Sequence, residues 1–191
     1  MYCINKPYRV EDNIKKSRFI SIVIPCQTEA ETFKHLQHLQ QQYPDASHIV
    51  FAYRIKTKKG IITKFHDAGE PSGTAGKPIF QHLAGKDLIN LLCVVIRYFG
   101  GVKLGAGGLT RAYSNSAKKV IDSCTLNEYI EYSEIKFTLD YNQMQNFEYQ
   151  LKKFDGIIVK QAFSEIITLT IRIPENNSTN FSKLFITSHY D

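Results

Sequence analysis

Apolar positions along this chain recur with two different spacings, and the alternation between them sets out the elements. Arg18–Pro25 (RFISIVIP) is compact and β-branched, which predicts a strand. Glu29–Tyr43 follows with Phe33, Leu36, Leu39 and Tyr43 at helical spacing, behind Thr28 as an N-cap and ahead of Pro44 and Asp45 as a stop. His48–Lys56 and Gly60–Phe65 read as a hairpin turning at Lys58, Lys59 and Gly60. A short helix is expected over Pro78–Ala84. Leu91–Phe99 (LLCVVIRYF) is an unbroken apolar run, the mark of a strand covered on both faces. Beyond it Leu109, Ala112, Tyr113, Ser116, Ala117, Val120 and Ile121 fall on one helical stripe, whose small residues suit close approach to a sheet.

The pattern changes character near Thr125–Glu128. Ile135–Leu139 alternates as a strand, and Met144, Phe147, Leu151 and Phe154 define a helix stopped by Asp155–Gly156. Ile157–Phe163 and Ile166–Ile173 form a second hairpin, ended by Pro174, and Phe181, Leu184 and Phe185 mark a last helix. That βαββα order is a small split-βαβ unit. We therefore expect an α+β protein of two domains, residues 1–125 and 126–191.

Charge sharpens this division. The chain carries a net +6, but residues 1–125 hold 18 Lys/Arg against 9 Asp/Glu, whereas residues 126–191 hold 6 against 9. A polyanionic partner would meet the front half. Cys3, Cys26, Cys93 and Cys124 are scattered without a CxxC pair, which points to free thiols in a cytoplasmic protein. No apolar run is long enough to span a membrane, and the first residues lack the apolar stretch of a secretory signal.

Eight of the eleven glycines lie in the two windows 69–76 and 100–108. Such density marks backbone that needs positive φ or close approach. The second window joins a buried strand to a helix N-terminus, where free N–H groups favour an anion and Lys103 and Arg111 flank the site. The first carries Ser72, Thr74 and Lys77 as further donors. Familiar phosphate and nucleophile motifs fail here. Gly76–Lys77 is followed by Pro78, so this is no Walker A loop; Gly105–Leu109 lacks the GxGxxG spacing; and Pro71 and Gly73 around Ser72 break GxSxG. His66, Asp67 and Glu70 offer acid/base groups, against the plainer reading that the two carboxylates cap turns or pair with Lys77 and Arg97. Tyr98, Phe99 and Tyr113 stand beside the basic loop as base-stacking candidates, set against ordinary core or rim roles. His35 and His38 are spaced for a metal but lack a third ligand, and no cofactor is implied.

At HDAGEPSGTAGKP (66–78), RYFGG (97–101) and LGAGGLTRAYSNSAKK (104–119), with KKSRFI (15–20) and PDASH (44–48), the sequence resembles the YigZ/Impact family (uncharacterised protein family 0029). The resemblance covers essentially the whole chain. It implies an N-terminal α/β sandwich of the ribosomal protein S5 domain 2-like fold and a smaller ferredoxin-like C-terminal domain similar to domains of elongation factor G. Both relatives are ribosome-associated. The family has no settled catalytic residues to carry over. Two departures stand out: Ala68 replaces an acidic residue common in the first motif, and Ile49–Val50–Phe51 replaces an NCW-like segment.

The resulting expectation is a non-enzymatic protein that binds RNA or the ribosome, with a role in translation. Its contacts would be Glu70, Ser72, Gly73, Thr74, Gly76 and Lys77 from the first loop, with Arg97, Gly100, Gly101, Lys103, Gly105, Gly107, Gly108 and Arg111 around the second. The alternative is an enzyme or small-molecule binder with a phosphate-bearing ligand between the same loops.

Overall fold

The computed structural model describes residues 1–186. It divides into two compact units, Met1–Tyr129 and a second from Ile130 on. The seam falls beyond residue 126 because the short strand β7 (Asn127–Glu128) turns back to pair with β1 (Tyr2–Cys3) at the start of the chain.

The first unit is built on five strands: β2 (Tyr8–Ile14), β3 (Ser17–Pro25), β4 (His48–Thr57), β5 (Gly60–His66) and β6 (Leu91–Tyr98). They pair antiparallel in the order β2-β3-β6-β4-β5, so the most apolar strand, β6, is central. Residues Leu91 to Arg97 of β6 are all buried, as a strand covered on both faces must be. Helix α1 (Glu29–Gln42) covers one face, packing Leu36 and Leu39 over Ile20, Ile22, Leu92, Val94 and Ile96. Thr28 caps α1 by accepting the Glu31 amide at 3.2 Å, while the Glu31 carboxylate accepts the Gln27 amide. Helices α2 (Gly76–Gly85) and α3 (Ala106–Asp122) cover the other face over Phe19, Val23, Val50, Cys93 and Val95. Burial pushes the Cys93 thiol well above the usual range, which leaves it an inert core group. The stripe from Leu109 to Ile121 is the buried face of α3, and Ala112, Ser116 and Ala117 let its backbone lie close to the sheet.

The second unit holds β8 (Tyr132–Leu139), a 3-10 turn at Tyr141–Gln143, α4 (Met144–Lys153), β9 (Ile157–Phe163), β10 (Ile167–Pro174) and α5 (Glu175–Ile186). Its antiparallel sheet has the order β8-β10-β9, the arrangement of a split βαβ unit. Phe137, Phe147, Leu169, Ile171 and Phe181 form a separate apolar core. After α4 the chain reverses at Asp155 (φ 56°), where the Gly156 amide donates to the Leu151 carbonyl at 2.9 Å.

Candidate functional site

Both glycine loops of the first unit meet at the end of β6, and strand register explains how. Arg97 on β6 stands opposite Phe19 on β3 and His48 on β4. Its side chain is 5% exposed and runs between the Phe19 and Phe99 rings, with centroid distances of 5.7 and 5.5 Å. There Arg97 Nη1 donates to Glu70 Oε1 at 2.6 Å, and Nη2 reaches Ser17 Oγ at 3.4 Å. The Tyr113 hydroxyl, from α3, donates to the same Glu70 oxygen at 2.7 Å. His48 Nε2 lies 3.8 Å from it, with its Nδ1 donating to the Ala68 carbonyl at 2.9 Å. Burial, reinforced by the neighbouring Glu70 carboxylate, raises the Tyr113 pKa and keeps the phenol protonated as a donor. The cluster thus ties β3, β4, β6 and α3 to the first loop with a matched pair of buried charges.

The rest of the first loop closes on itself. The Asp67 carboxylate accepts the amides of Gly73, Ala75 and Gly76 at 2.9, 3.0 and 2.8 Å. The Thr74 amide and hydroxyl both donate to the Pro71 carbonyl. Burial works against ionisation of Asp67, but the three amides outweigh it and hold the carboxyl below its ordinary value. Asp67 therefore occupies the N-terminus of α2 as an internal anion. Ser72, Gly73 and Lys77 remain exposed, whereas Thr74 and Gly76 are buried.

The second loop is arranged in the opposite way. Gly100 donates to Ser17 Oγ at 3.3 Å and lies so close to the β2–β3 turn that a Cβ there would fall 1.9 Å from the Lys16 carbonyl. Gly105 precedes α3 with φ 71° and ψ 165°, a conformation open to glycine, and provides no side-chain cap. The first turn of α3 carries no acidic residue. Among the described residues, none of the amides from Gly101 to Gly108 donates to a protein acceptor. Lys103 is exposed alongside, as is Arg111 one turn further on. A pocket of about 290 Å³ opens here, lined by Glu70, Pro71, Arg97 and Phe99 and by Lys103–Ala106 and Leu109.

The expected contact residues therefore separate into two groups. Glu70, Arg97, Thr74 and the amides of Gly73, Gly76 and Gly100 are engaged inside the protein, while Ser72, Lys77, Gly101, Lys103, Gly105, Gly107 and Arg111 are exposed and Gly108 is half-buried. Tyr113 is fully buried and is a core hydrogen-bond donor instead of a stacking surface; Phe99, 49% exposed, is free to stack. Lys15 and Lys16, absent from that expectation, form the β2–β3 turn with φ 45° and 66° and expose both side chains beside the second loop. Their signal in the sequence was faint, because the turn uses lysines where glycine or asparagine is usual.

Fold and site together define a two-domain α+β protein of Impact type. The Impact N-terminal domain matches residues 15–121, and a domain of unknown function (DUF1949) matches residues 137–187. An Impact family member of Haemophilus influenzae is 34% identical over 90% of this chain and 84% of its own length. The Bacillus subtilis member YvyE is 34% identical over 89% of this chain and 78% of its own. A crystal structure of a hypothetical protein superposes with a TM-score of 0.71 at 29% identity, covering 98% of this chain and 92% of that one. This chain belongs to the Impact family.

Proposed function

We propose that this protein is a non-enzymatic binding protein that engages RNA, free or in the ribosome, through the second glycine loop and the lysines around it, in support of translation. One observation carries the reading: the α3 N-terminus has a run of unengaged amides with cations beside it, while the nearby carboxylates are neutralised internally. Helix dipole, free N–H groups and Lys15, Lys16, Lys103 and Arg111 all favour phosphate oxygens. Asp67 and Glu70 are each fixed by several donors, which suits a scaffold better than proton transfer. Among the described residues no helix is long and apolar enough to cross a membrane.

The test is fluorescence anisotropy with single-stranded RNA across a salt series. Backbone contacts require log affinity to fall linearly with log salt, and Arg111→Ala should reduce that slope by about one unit. Absent or salt-independent binding sinks the reading.

A pocket of about 290 Å³ beside the same loop favours a second reading, a phosphate-bearing small ligand held there. A nucleotide that raises the melting temperature of a protein without RNA affinity would favour it.

A further inference from the structure

Glu70 receives all its donors on one oxygen. Tyr113, Arg97 and the more distant His48 all approach Oε1, and among the described residues nothing donates to Oε2. Yet the side chain is only 3% exposed and Glu70 lines the pocket. Oε2 is not sealed from solvent, so an incoming donor can reach it from the pocket. Glu70's charge is matched by Arg97, so the floor accepts a hydrogen bond without repelling an anion at the rim. That rim is the α3 N-terminus with Lys103, and the wall between is apolar, formed by Pro71, Phe99, Leu104 and Leu109. Phe99 has Arg97 against its ring at 5.5 Å and is otherwise half exposed.

A ligand matching these surfaces carries a hydroxyl, an adjoining anion and a flat apolar group, in a volume of about 290 Å³. We infer that the pocket takes one ribose phosphate unit of an RNA strand. The 2′-hydroxyl donates to Glu70 Oε2, the adjoining phosphate sits on the Ala106–Gly108 amides and Lys103, and the base lies on Phe99. The inference rests on the phosphate-binding reading above and adds a sugar preference to it. A deoxyribose leaves Oε2 without a donor, and a 2′-O-methyl ribose removes the proton that Oε2 would accept.

The test compares RNA, DNA and 2′-O-methyl RNA strands of one sequence at one salt concentration. RNA should bind about tenfold more tightly than either other strand, the weight of one hydrogen bond to a charged acceptor. Equal affinity for all three overturns the sugar preference and leaves phosphate binding standing. No binding to any strand overturns the RNA reading. In that event, thermal shift with ribonucleoside against deoxyribonucleoside 5′-monophosphates decides: stabilisation by the ribose form alone keeps the site for a free nucleotide, and any other result removes it. Ala106→Phe fills the pocket from an exposed position while keeping every residue of the Glu70 cluster. It should abolish the RNA-over-DNA preference at an unchanged melting temperature, and a preference that survives the substitution overturns the inference.

Discussion

The two glycine loops have similar compositions and opposite economies of hydrogen bonding. Gly69–Lys77 supplies its own anion: Asp67 takes up three loop amides and the start of α2. Gly100–Gly108 supplies none, because Gly105 has no side chain to cap α3 and no acid stands in its first turn. Glycine density alone therefore does not identify a binding loop. What separates a structural loop from a receptive one is whether a neighbouring carboxylate has already answered its N–H groups.

The most severe way to break this comparison is to remove the bridge between the loops. Arg97→Met leaves Glu70 charged and buried beside Tyr113 and should cost about 3–5 kcal/mol, read by denaturant unfolding. Next comes Asp67→Ala, which strips three charge-assisted bonds from the first loop and should destabilise by about 2 kcal/mol, while salt-dependent RNA affinity stays within twofold. A large loss of affinity with a small loss of stability would reverse the roles assigned to the loops.

Acid should separate the loops as well. The Asp67 carboxyl is held below its unfolded value, so its contribution is fully present above about pH 4, the ordinary aspartate pKa, and is lost as pH falls through the folded value. Thermal melts from pH 6 down to pH 3 should show wild-type stability falling more steeply than that of Asp67→Asn. The smallest expected change belongs to the second loop. Lys103→Ala should leave stability within about 0.5 kcal/mol of wild type and lower the salt slope of RNA binding by about one unit.

Much of the first unit could be read from periodicity alone. The α3 stripe and the apolar β6 run are strong local signals, and both elements lie where those signals put them. Strand β2 escaped that reading. Its alternation is interrupted by Asp12, whose carboxylate pairs with Lys119 of α3, and as an edge strand it is only half buried. The two-residue strands β1 and β7 are too short to carry any period. The pairing of Glu70 with Arg97 was one of several outcomes the sequence left open. Its further links to Tyr113, Ser17 and His48 depend on sheet register and helix docking across tens of residues, which spacing does not encode. The Lys15–Lys16 turn escaped for a different reason, since its lysines hold left-handed backbone conformations that their residue type disfavours.

Asp67 has one further effect on what the protein can bind. Its carboxylate is tethered only six residues from Gly73 and nine from Gly76, so at the first loop it acts as a competitor that cannot diffuse away. A flexible tether of that length corresponds to an effective concentration in the millimolar range, and this tether is folded in place, which raises the figure. A free phosphate must outcompete that resident group before it reaches the loop, whereas among the described residues no such competitor guards the second. In the proposed reading, traffic of anions over this face is thereby directed to one entrance, and a single carboxylate sets the direction.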